Sequence, residues 1–157
     1  MVPGIAAAAV WAAAEPLVGR ALGVPWYSDA RLVGRTLTSG PHWRPLGIAI
    51  HLANGALFGA VFARLGGRGW KQGVLAAEVE SALLWPGMAV IDRIHHDRRS
   101  GEWPPLFGSS RVFAYEVMVH AAFGAVLGAL LSGRTTKTPT PLALACPLYR
   151  LSLPDSR

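Results

Sequence analysis

Residues 46–65 read LGIAIHLANGALFGAVFARL, with one His, one Asn and a single charge, Arg64, beside the end. A helix of about 20 residues rises roughly 30 Å, the thickness of a bilayer's hydrocarbon core. The run is therefore predicted to be a membrane-spanning helix. Three further apolar runs flank it: Val2 to Val24, Val74 to Ile91, and Val112 to Ser132. Between them the chain is broken by Gly, Pro and charge. The expected fold is all-α: a polytopic, four-transmembrane-helix bundle over residues 1–132, followed by a polar, Pro-rich tail over 133–157.

Composition agrees. Of 157 residues, 52% are apolar and 15% charged, against about 25% charged in a soluble domain. The net charge of +6 sits almost entirely outside the apolar runs. Arginines so placed suit the lipid bilayer and its anionic headgroups and argue against nucleic acid as the partner. Cys146 is the single cysteine, so neither an internal disulfide nor a Cys-based metal centre can form.

The first run is Ala-rich and interrupted by Glu15, Pro16 and Arg20. A signal peptide is the competing reading, with Ala12-Ala13-Ala14 resembling a cleavage site. No Lys or Arg precedes it, which favours a helix, with Arg20 snorkelling to the interface. The loop over 25–45 carries Trp26, Tyr27 and Trp43, expected as anchors at headgroup level. The connection around Arg64, Arg68 and Lys71 is short, basic and free of acids. The connection over 92–111 is the most charged. In it Asp92, His95, His96 and Asp97 cluster, but Arg93, Arg98 and Arg99 oppose a bound cation, so a solvated interfacial loop is expected. Lys and Arg divide eight against seven between the two sides. The dense middle connection tips the expected topology toward cytoplasmic termini.

The second and fourth runs repeat. HLANGALFGA from His51 matches HAAFGAVLGA from His120 at six of ten positions, at an offset of 69 residues. Ala13-Ala14-Glu15 likewise echoes Ala76-Ala77-Glu78. Two hairpins of even span number would be related by an axis along the membrane normal. Residues four apart share a helix face. Gly47, His51, Gly55 and Gly59 thus form one stripe, and Glu116, His120, Gly124 and Gly128 another. Gly47, Gly55, Gly59, Gly124 and Gly128 are expected as packing seams, since small residues let helices approach closely in lipid.

Glu15, His51, Glu78, Glu80, Glu116 and His120 all fall inside apolar runs. A charged group at the bilayer centre costs about 3 kcal/mol on insertion scales, so these side chains should meet one another or water. Glu15, His51, Glu78, Glu116 and His120 are the expected cluster, with Glu78 chosen over Glu80 by the repeat. Three readings stay open. The groups fix helix register in a structural or interaction subunit, within a homo-oligomer or beside a membrane partner. They pass protons or a small cation. Or His51, Glu116 and His120 ligate a divalent metal in a membrane metalloenzyme. No phosphate loop or nucleophile motif occurs, so a non-enzymatic protein without a cofactor is expected.

With His-x3-Gly-x3-Gly at His51-Gly55-Gly59 and again at His120-Gly124-Gly128, and Glu116 one turn before the second His, the chain resembles the YagU-type small bacterial inner-membrane proteins. The resemblance covers mainly the second and fourth runs. It implies a multi-pass protein of the bacterial inner membrane without known enzymatic activity, and it carries over no catalytic residue.

Overall fold

The computed structural model describes residues 2–133. Cys146 and the Pro-rich tail lie outside the described residues. The described chain is helical: α1 (Val2–Ala21), α2 (Asp29–Leu37), α3 (Trp43–Arg64), α4 (Trp70–Leu84), α5 (Met88–Ile94), α6 (His96–Arg99) and α7 (Ser110–Ser132). A 3-10 turn, Trp85–Gly87, joins α4 to α5. Pro86 lacks an N–H, so the α-helical ladder tightens there and resumes at Met88. Four helices are long and apolar enough to cross a membrane: Val2–Ala21, Trp43–Arg64, Trp70–Ile94 and Ser110–Ser132. The chain thus has the make-up of a multi-pass membrane protein. Its apolar runs begin and end within a few residues of the sequence expectation.

Helix α1 packs on α3, α4 packs on α7, and α1 and α7 join the two pairs. Helices α3 and α4 share no comparable seam. Glycine makes the paired seams close. A side chain at Gly4 or Gly55 would strike the other's backbone, and the same holds for Gly73 and Gly124. Gly59 faces Gly4 as well, and Gly128 faces Gly69, whose N–H donates to the Gly128 carbonyl at 3.2 Å. All five expected seam glycines are buried, although Gly47 packs beneath Ala30 of α2. Gly4 and Gly73 are 69 residues apart, as are Gly55 and Gly124. At that offset the counterpart of Glu15 is Leu84, so the Ala-Ala-Glu match is not the register in which these contacts correspond. Outward faces carry exposed Leu17, Leu57, Leu75, Leu83 and Leu130, as contact with lipid tails requires.

The loops at one end differ from the sequence expectation. Residues 25–45 are not a simple loop, because α2 occupies their middle. Ser28 caps it, accepting the Arg31 N–H at 3.2 Å, in the favoured N-cap manner. Tyr27 is buried, not displayed at the interface. Nor is the 92–111 connection solvated throughout: Arg93, Arg99 and Glu102 are exposed, but His95, Asp97, Trp103 and Leu106 are buried. His95 and Asp97 are both 0% exposed. Asp97 accepts Arg31 Nε at 2.7 Å and Arg35 Nε at 2.8 Å, both from α2. Arg31 also reaches Glu102 at 2.7 Å. The His95 ring stacks on Trp103 at 4.5 Å. Burial holds that imidazole below its usual range, and its Nδ1 accepts the Asp97 N–H at 3.2 Å. Asp92 accepts Arg98 Nε at 2.9 Å and the Leu106 and Phe107 N–H groups. Pairing across the two loops satisfies charges that either alone would leave to water, and the product is an ordered cap.

Candidate functional site

Below the cap, three carboxyls meet. Glu15 stands one turn beyond Trp11 on the buried face of α1, Asp29 opens α2, and Glu116 lies one turn before His120 on α7. All three are more than nine-tenths buried. Glu15 accepts the Asp29 backbone N–H at 2.9 Å. The Tyr27 hydroxyl donates to Glu116 Oε1. The Asp29 carboxyl has no hydrogen bond of good geometry, and neither do the Tyr115 hydroxyl and the Trp11 indole N–H. Each nevertheless stands beside a glutamate: Asp29 by Glu116, Tyr115 and Trp11 by Glu15. Among the described residues, none of the interactions of the three carboxyls is with an Arg or Lys. Three buried carboxyls so placed cannot all stay ionised, and their protons belong to the group, not to single residues.

The histidines lie around Trp11, beside the triad. The Trp11 ring meets His51 edge-on at 4.8 Å and His120 at 4.5 Å. His120 Nδ1 bonds the Glu116 carbonyl at 2.8 Å and lies 3.4 Å from Glu116 Oε2. His51 Nε2 bonds the Ala8 carbonyl at 3.2 Å. Of the expected cluster, the structure therefore brings together Glu15, Glu116, His120 and, through Trp11, His51. Glu78 stands apart: the residue is half-buried, and its buried Oε1 has no hydrogen-bond partner among the described residues. Glu80 faces a second helix, bonding Asn54 of α3. Among the described residues, no three or more His, Cys, Asp or Glu are arranged as a metal-ligand group, the set His51, Glu116 and His120 included. The sequence reading missed Asp29, Tyr27, Tyr115 and Trp11. The Ser28-Asp29 pair, a helix-start signal, was the one available sign of Asp29.

Where α3 and α4 fail to pack, a cleft of about 530 Å³ opens. Its walls are Leu32, Ile50, Leu84, Met88 and Ile91, and its floor is Trp11, Asp29, His51, Glu116 and His120. Burial, then the Glu116 and Glu15 carboxyls, push Asp29 well above the usual carboxylate range. An acid with a raised folded-state value binds more protons folded than unfolded. Its contribution is complete below the ordinary value of 3.8 and is lost as pH rises through the raised one. The thermal midpoint of the detergent-solubilised protein should thus fall with rising pH above that point, and Asp29→Asn should flatten the fall. A slope equally steep in the variant would contradict this assignment.

No family model, curated protein or solved structure matches the chain significantly.

Proposed function

We propose that this is a non-enzymatic membrane protein that exchanges protons at the Glu15–Asp29–Glu116 triad, with the α3/α4 cleft as the route by which water or a small cation reaches it. One observation carries the reading: Asp29 and Glu116 belong to the buried triad and also line the cleft. The His51–Trp11–His120 group is the next polar layer, and the glycine seams then close the bundle. The triad therefore acts as a proton-holding site reached through the cleft, not as an open pore. The short basic connection at Arg64, Arg68 and Lys71 favours cytoplasmic termini, and hence a cell-membrane protein with the cap on the far side. The 69-residue correspondence of the Gly4–Gly55 and Gly73–Gly124 contacts supports an origin by duplication of a hairpin.

Proton counting tests the proposal. Protein in nanodiscs is titrated from acid to neutral pH and the released protons counted, while the infrared carbonyl band of protonated carboxyl groups is followed. Glu116→Gln should release about one proton fewer per chain and lose part of that band. Equal counts and an unchanged band in Glu116→Gln and Asp29→Asn alike would end the reading.

A further inference from the structure

We propose that the α3/α4 cleft binds a lipophilic organic cation drawn from the bilayer, with its charge set against Asp29 and Glu116. The inference rests on the proton-exchange reading and names the ligand of the same site. Four observations carry it. First, the volume, about 530 Å³, lies within the ordinary range for small-molecule sites, as does the mix of apolar walls with a few convergent polar groups. Second, Asp29 is 7% exposed, lines the cleft, and has no hydrogen bond of good geometry to either carboxyl oxygen among the described residues, only the neighbouring Glu116 and Tyr27 side chains. A buried carboxyl so poorly satisfied costs free energy that a ligand can recover. Third, the cation that would normally answer such acids is spent elsewhere. Arg31 and Arg35 leave the same helix but turn to Asp97. Fourth, Trp11 and Trp85 both line the space, and indole faces attract organic cations.

Access is lateral. Helices α3 and α4 form the cleft's two flanks without a packed seam, and Asn54, Leu84, Gly87 and Val90 at its margins are exposed. The Asn54–Glu80 bond ties the flanks together on the side of His51 away from the cap. An amphipathic molecule already dissolved in lipid can enter without crossing the cap.

Exchange follows from charge balance. Glu15 faces the site from α1, Tyr27 and Asp29 from the entry to α2, His51 from α3, and Tyr115, Glu116 and His120 from α7. Helix α4, the 3-10 turn and α5 contribute Ser81, Trp85 and Met88, none of which titrates in the ordinary range. A monovalent cation seated on the acids replaces one of the shared protons, which leaves to water. Binding therefore weakens as pH falls.

The test uses two probes of the same shape and opposite charge, tetraphenylphosphonium and tetraphenylborate, on the full chain in nanodiscs, with empty nanodiscs as baseline. Tetraphenylphosphonium should bind saturably at one site per chain, release protons, and bind less at acid pH. Asp29→Asn should weaken it roughly tenfold, the factor a lost charge-assisted contact carries. Ile50→Trp, which fills the cleft while leaving the triad's residues in place, should abolish saturable binding in protein whose helicity is intact. Equal binding of tetraphenylborate would mean a merely apolar groove, and retention no greater than in empty nanodiscs would mean no site; either overturns the inference. If protons titrate at the triad but the cation is not retained, this inference fails and proton exchange stands. If no protons titrate, both fail.

Discussion

Gly124→Leu is expected to leave no stable four-helix protein. An added Cβ at Gly124 would strike the Gly73 carbonyl and come within 2.8 Å of Val74 Cα. One at Gly73 would strike the Gly124 carbonyl in return. These obstacles are helix backbone, not the movable ends of side chains, so α4 and α7 must separate. A single extra methyl forced into a packed interior costs about 1–3 kcal/mol. Gly124→Ala should therefore fall in that range, and leucine well above it. The loss is not recovered by repacking in lipid, where tails solvate an exposed apolar helix as well as another helix does. The measurement is unfolding in mixed micelles by added dodecyl sulfate, followed by helicity and tryptophan emission. Gly87→Ala serves as control, because a Cβ there meets nothing within 4 Å. It should shift the midpoint by no more than about 0.5 kcal/mol. Wild-type stability in Gly124→Leu would refute the close α4–α7 approach.

The α7 side of that seam was legible in the sequence because it obeys local rules, whereas its α4 partner Gly73 was not among the expected glycines. A run of apolar residues gives the span, and glycine every fourth residue gives the face. Helix α2 was not legible for the opposite reason. Its Arg31 and Arg35 read as loop charges, and the residue that accounts for both lies 66 and 62 residues away. No window along the chain contains that information. Tyr27 misled in the same way. An aromatic in a connection beside a span ordinarily anchors at the headgroups, but here Tyr27 is packed among Trp26, Trp103 of the 92–111 connection and Tyr115 of α7.

The candidate site divides along the same line. Glu15, Glu116, His51 and His120 were found because a polar group inside an apolar run must be answered by something. Asp29, outside the runs, raised no such alarm, yet it is the group that turns a pair of glutamates into a triad. Glu78 was a register error. The Ala-Ala-Glu match pairs residues 63 apart, while the backbone contacts correspond at 69. Short matches among alanines carry little information, and the six-residue difference turns a side chain by about 240° around the helix and moves it about 9 Å along the axis.

Asp97→Ala is expected to unlatch the cap and, with it, the floor of the cleft. Asp97 is 0% exposed, and each of its oxygens holds one arginine of α2. Removing one partner of a buried ion pair costs about 3–5 kcal/mol. The Arg31 and Arg35 side chains are 25% and 14% exposed, so water recovers part of this, and about 2–3 kcal/mol is the reasonable loss. Helix α2 remains seated on α3, since Gly34 and Gly47 bring their backbones together, so the bundle itself survives. What changes is the freedom of α2. Trypsin should cut after Arg31 and Arg35 in Asp97→Ala in nanodiscs under conditions that leave wild-type α2 intact. Arg35→Gln combined with Asp97→Ala should cost less than the sum of the single changes, because the second substitution removes a charge the first has stranded. Asp29 sits at the first turn of the same helix, two residues before Arg31. Loosening α2 therefore lets water reach the triad, and the slope of thermal midpoint against pH should shrink as it does in Asp29→Asn. Cleavage no faster than wild type, with an unaltered pH slope, would show that Asp97 does not hold the cap. A shrunken slope would establish that the ion pairs outside the membrane maintain the dry carboxyl site within it.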